Sequence, residues 1–169
     1  MEVCSKTTMS APLRQTLLAI KTKIFKRALV SEQEMSILHE SLKDDQLACR
    51  VIAADCVNRL GGVASAEIGL AELRRCASRV EDSDKDAFRS LAEAALWLPK
   101  SVQQDPIFRD FLIRALTHGD RPCKGNAKSI LTIFAKQGDQ LAQDALNRAA
   151  NDPDILFIEK MESEQQGSR

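Results

Sequence analysis

The chain has no tyrosine, one tryptophan and six phenylalanines in 169 residues, so the sequence predicts a core packed mainly from aliphatic side chains. It has no surplus of charge either: 24 lysines and arginines meet 24 aspartates and glutamates. A net charge of zero removes the overall pull that draws a basic protein to nucleic acid or anionic lipid, although a local patch could still exist. The five cysteines, Cys4, Cys49, Cys56, Cys76 and Cys123, contain no C-x-x-C pair. Odd in number and scattered, they read as reduced thiols and predict a cytoplasmic location. The two histidines, His39 and His118, lie far apart, so the ligand spacing of structural zinc is missing and no metal or cofactor is expected. No apolar run approaches the ~20 residues of a membrane span, and lysines interrupt the N-terminal segment before a secretory core can form, so the expectation is a soluble chain. No stretch alternates with period two for long enough to claim a strand.

What the chain does have is helical periodicity. Hydrophobic content of 44% with 28% charged residues is globular composition, and a chain of this length buries roughly 70% of its unfolded surface without a metal or disulfide staple. Residues 1–11 read as a flexible arm, with Ser10 as a possible first cap, 12–161 as a single all-helical domain, and 162–169 as a flexible polar tail. The first helix, Leu13 to Leu29, is the most basic element. A capping box of Ser31 and Glu34 opens a short acidic helix to Leu42. Asp44 to Gly62 carries a stripe of Leu47, Val51, Ala54, Val57 and Leu60 and closes on two glycines. Ser65–Val80, with Gly69 as a weak point, and Ser83–Leu98, stopped by Pro99, follow. Asp105 with Pro106 caps the next helix to Thr117, the loop 118–122 breaks the chain, and helices over 123–136 and 141–149 precede a last one that Asp152 and Pro153 begin.

The segment 44–62 also carries a residue order: Asp44, then Arg50 six positions on, Ala53 with Ala54, Val57, and Leu60 with Gly61. This order resembles the second helix of a HEAT repeat. Its core, a basic residue with alanine three positions on and an aliphatic seven on, recurs as Arg89, Ala92 and Leu96, and as Lys124, Ala127 and Leu131. Arg50 to Arg89 spans 39 residues and Arg89 to Lys124 spans 35, close to the ~40 of HEAT and armadillo repeats. The acid six positions earlier is present only for Arg50; Ser83 and His118 stand there in the other two, with Asp84 and Asp120 nearby. The resemblance covers about 31–150 and implies an all-α superhelix of about eight to nine helices, the alternative being a compact helical bundle. It also implies an exposed wall of successive second helices that holds another macromolecule.

The expected function is therefore a non-enzymatic interaction module: an adaptor, a scaffold, or a small inhibitory or chaperone-like partner of another protein. The residues predicted on the exposed sides of the second helices are Arg50, Asn58, Arg59, Arg89, Glu93, Lys124 and Lys128, which the bland reading takes as solvated helix surface. Trp97 is either a binding anchor or an edge of the core. Lys21, Lys23, Lys26 and Arg27 form a possible anionic-partner patch, and nucleic-acid binding through them is the alternative function. A third reading is a thiol enzyme, with Cys123 activated at a helix N-terminus beside His118; the competing reading is an ordinary turn capped by Asp120. The stretch GDRPCKGNAKS has the composition of a phosphate cradle but neither its spacing nor a preceding strand.

Overall fold

The computed structural model describes residues 11–167, and among them every regular element is an α-helix. There are ten: α1 (Ala11–Phe25), α2 (Glu32–Ser41), α3 (Leu47–Arg59), α4 (Val63–Arg79), α5 (Lys85–Ala95), α6 (Lys100–Gln103), α7 (Pro106–His118), α8 (Arg121–Lys136), α9 (Gln140–Ala149) and α10 (Pro153–Gly167). The all-α expectation holds. The helix that sequence did not anticipate is the four-residue α6, started by Pro99 after α5 has ended at Ala95. α10 runs six residues past Met161, into the stretch read as tail. The arm and its Ser10 cap fall outside the described residues.

The packing divides into two compact units, residues 1–72 and 73–169, with the division inside α4. In the first unit α1 and α2 pack on α3 around Leu17, Ile20, Leu38, Cys49, Ile52, Ala53, Cys56 and Val57. The capping box forms as expected: the Ser31 hydroxyl accepts from the Glu34 amide and the Glu34 carboxylate accepts from the Ser31 amide.

The stripe predicted for α3 is too narrow. Every residue from Val51 to Val57 is buried, Asp55 included, because neighbours cover this helix on more than one side. One of those neighbours is α4, and Gly69 is why it can come so close. A β-carbon at Gly69 would sit 2.7 Å from both the Ala54 carbonyl oxygen and the Asn58 amide nitrogen. A residue that weakened the helix pattern in the sequence is thus a contact requirement between two backbones. α3 ends where the sequence places its stop, with Gly61 and Gly62 at φ of 86° and 96°.

In the second unit α8 is the hub, packed against α5, α7, α9 and α10. Its core is mainly aliphatic and alanine, with Phe88, Phe108, Phe111 and Phe134 fully buried among them, and Phe88 meets Phe111 edge to face at 5.0 Å between ring centres. Such rings bury more area per residue than any aliphatic side chain. Alanines 87, 92, 94 and 95 leave α5 with little bulk where neighbours approach.

Candidate partner-binding site

The side chains at the predicted recurrence do something more specific than face solvent. Each helix of the second unit from α7 onward begins on an aspartate that accepts from the amides of its own first turn. Asp105 accepts from Ile107, Asp120 from Cys123, Asp139 from Ala142, and Asp152 from Asp154 and Ile155. Each of these caps also meets a cation about thirty residues earlier. Arg74 Nε donates to Asp105 at 3.0 Å and Arg89 Nε to Asp120 at 2.9 Å. Arg109 lies 3.4 Å from Asp139, and Lys124 Nζ donates to Asp152 at 2.7 Å. Arg121 adds Asp154 at 3.0 Å, and Lys128 adds Glu162 at 2.7 Å. One carboxylate therefore finishes its own helix and fastens an earlier one.

The electrostatics follow from this double use. Burial by itself would raise the Asp120 carboxyl, but the hydrogen bonds from Cys123 and Arg89 outweigh it and hold the group below the usual aspartate range. Lys124 holds Asp152 low, and Arg121 with Lys124 does the same for Asp154. Burial would lower Lys124 itself, and its two aspartates reverse that.

The predicted contact residues separate on this basis. Arg89 is exposed but engaged with Asp120, and Lys128 is half-buried and engaged with Glu162 and Glu159. Lys124 is not on an exposed side: it is buried between α8 and α10, because its aspartates lie 28 and 30 residues downstream. Arg50, half-buried, approaches Glu72 at 3.9 Å, and Arg59 is held by Asp55 at 2.7 Å. Asn58 and Glu93 are half-buried, and Trp97, just past α5, stands 58% exposed.

The basic patch shrinks in the same way. Lys21 is buried against Asp55 at 3.1 Å and Lys23 reaches Glu34 at 2.5 Å, which leaves Lys26 and Arg27 as the solvent cations of the four. Arg27 takes φ 55° to end α1, earlier than the Leu29 expected from sequence.

The Cys123 thiol has the opposite character from the one its helix position suggested. It is buried, and burial together with the Asp120 carboxylate pushes its pKa up to about 12. Desolvation has overcome the helix N-terminus. His118 is half exposed and lies 3.8 Å from Asp82, on which Arg114 also converges. Asp120 is the cap of α8, as the turn reading has it. Among the described residues no group of three histidines, cysteines or acids is arranged to hold a metal, and no helix is long and apolar enough to cross a membrane. An open cleft of about 460 Å³ runs beside the α8–α9 turn, with Arg109, Asp139 and three glutamines on its walls.

Sequence reading named the cations at 89, 124 and 128 and placed Asp105, Asp120 and Asp152 as helix caps, but it joined none of these acids to its cation and did not single out Arg74, Arg109 or Arg121 as contact residues. A signal was present: aspartates 105, 120, 139 and 152 each precede or begin a helix, and each has an Arg or Lys about thirty positions before it. Compared with family models, characterised proteins and solved structures, the chain matches none.

Proposed function

We propose that this chain is a soluble, cytoplasmic, non-enzymatic binding protein, HEAT-like in plan, that holds another protein against the solvent side of its second helices. The observation that supports it is the repeated link from a cation to a helix-capping aspartate about thirty residues on, at Asp105, Asp120, Asp139 and Asp152. A device used four times at spacings of 28 to 31 residues fits a chain built from repeating helix pairs, since each pair must be fixed to the next. Arg89 and Glu93 lie one turn apart on α5, and Trp97 stands four residues further on, just past the end of the helix. Trp97, the exposed large apolar residue of the three, is the anchor of the proposed contact.

The test is capture by the immobilised full chain from extract of its source cells, compared with a Glu93→Lys/Trp97→Ala variant of unchanged far-ultraviolet circular dichroism. The reading expects one protein retained at stoichiometric level by the parent chain and reduced at least about tenfold by the variant, the loss of one well-buried anchor. Equal retention by both chains overturns the choice of face. Retention of nucleic acid instead, abolished in Lys23→Ala/Lys26→Ala/Arg27→Ala, replaces the reading with the alternative one.

A further inference from the structure

Two helices, one in each unit, carry large apolar side chains that stay partly exposed to solvent. On α1, Leu18 and Phe25 lie two turns apart on one face and are 41% and 45% exposed, with Leu29 just beyond the helix at 95%. On α10, Leu156, Phe157 and Met161 share the outward face at 50%, 44% and 41%. Isolated exposed leucines mean little, but three large apolar groups grouped on one helix are a patch.

The two patches are alike in construction and opposite in charge. Phe25 has the Arg59 guanidinium over its ring at 4.5 Å, and Phe157 has that of Arg121 at 4.2 Å. Each ring is braced on one face, so little freedom is left to lose when the rest of it is covered. From Arg14 to Arg27 the chain carries five cations and no acid, whereas α10 carries Asp154, Glu159, Glu162 and Glu164 against Lys160 alone. Much of this charge is engaged at home: Lys21 with Asp55, Lys23 with Glu34, Asp154 with Arg121 and Lys124, Glu159 and Glu162 with Lys128, and Glu164 with Lys160 at 3.9 Å. Lys26 and Arg27 remain exposed beside the first patch, and the three glutamates, each about half exposed, beside the second.

We propose that the α1 face of one molecule docks on the α10 face of a second copy of this chain, Phe25 and Leu18 packing against Phe157, Leu156 and Met161, with Lys26 and Arg27 set against the glutamates of α10. Such a contact is heterologous: each molecule offers a different face to each neighbour. It is independent of the binding function proposed above, which uses α5.

The experiment follows molar mass by light scattering and sedimentation velocity of the full chain from about 10 μM to about 1 mM, the range of weak specific association. Two variants are made, Leu18→Glu/Phe25→Glu and Phe157→Glu/Met161→Glu, with Lys26→Glu/Arg27→Glu as a milder third should the first lose helical signal. The parent chain is expected to associate with rising concentration, and each variant alone to need at least about tenfold more protein for the same mass. Mixing the α1-face and α10-face variants is expected to restore a one-to-one complex that grows no further, since each supplies the face the other has lost. A parent chain monomeric at about 1 mM overturns the proposal. So does an α10-face variant that still associates, because its contact is then made without α10, or a mixture that stays monomeric, because the intact α1 face of one variant then fails to bind the intact α10 face of the other.

Discussion

At the scale of single residues, two positions hold a backbone requirement that their side-chain chemistry conceals. Arg27 sits at φ 55°, a region that costs a residue with a β-carbon about 1 kcal/mol, and it stands where a helix C-terminus ordinarily takes glycine. Arg27→Gly is therefore expected to raise stability by about 0.5–1 kcal/mol in urea titration, despite the looser unfolded chain. A loss of stability would show that the arginine side chain contributes more than its backbone costs. Gly69 is the converse. Its φ is ordinary and alanine suits a helix better, yet a methyl group there meets the Ala54 and Asn58 backbone at 2.7 Å. Gly69→Ala is expected to lower the urea midpoint by the equivalent of about 1–3 kcal/mol, the range for overpacking, against the gain that helix propensity alone would give.

At the scale of the helix, local signals were legible and long-range ones were not. Ser31 with Glu34, Asp105 with Pro106, and Asp152 with Pro153 act within one turn, so the sequence displays each cap whole. Lys124 and Lys21 read as surface because the acids that hold them are distant in sequence: Asp152 is 28 residues from the one and Asp55 is 34 from the other. α6 escaped because four residues make no periodic pattern, and α3 read as one-sided because small Cys and Ala do not mark a buried face as leucine does. Of the candidate site, the cations at 89 and 124 and the caps at 105, 120 and 152 were visible one by one, and the pairing between cation and cap was not.

The double use of Asp120 separates cleanly by substitution. Asp120→Asn keeps an oxygen for the Cys123 amide and removes only the charge that meets Arg89, a pair exposed enough to be worth about 0.2–1 kcal/mol. Asp120→Ala also removes the cap and is expected to cost about 1–2 kcal/mol in thermal or urea unfolding. Equal losses in the two variants would mean that the charge, not the cap, fastens α8.

At the scale of the whole chain, the zero net charge conceals a defined pH response. Glu34, Asp120, Asp152 and Asp154 are all held below their ordinary range by bonded cations, amides or both. Their contribution is complete above the unfolded values of about 3.9 to 4.3 and is lost as pH falls through the lower folded values. Cys56 and Cys123 are pushed up to about 12, chiefly by burial. Their thiols stay neutral in the fold while the unfolded chain ionises near 8.5, so stability falls as pH rises from there towards 12. Urea midpoints measured across pH are expected to form a plateau between about 5 and 8 with a decline on each side. Cys123→Ala is expected to make the alkaline decline shallower, and an unchanged slope would show that the thiol ionises no differently in the fold.

The capping aspartates carry one more implication, for the lengths of the helices between them. An extra residue inside α7 would turn everything beyond it by about 100° and advance it 1.5 Å, swinging Asp120 away from Arg89 while both residues survived unaltered. The thirty-odd positions from cation to acid thus act as a gauge. Substitutions along its solvent side leave the measure intact, but insertions and deletions do not, so descendants of this chain are free to change its lettering far more readily than its count.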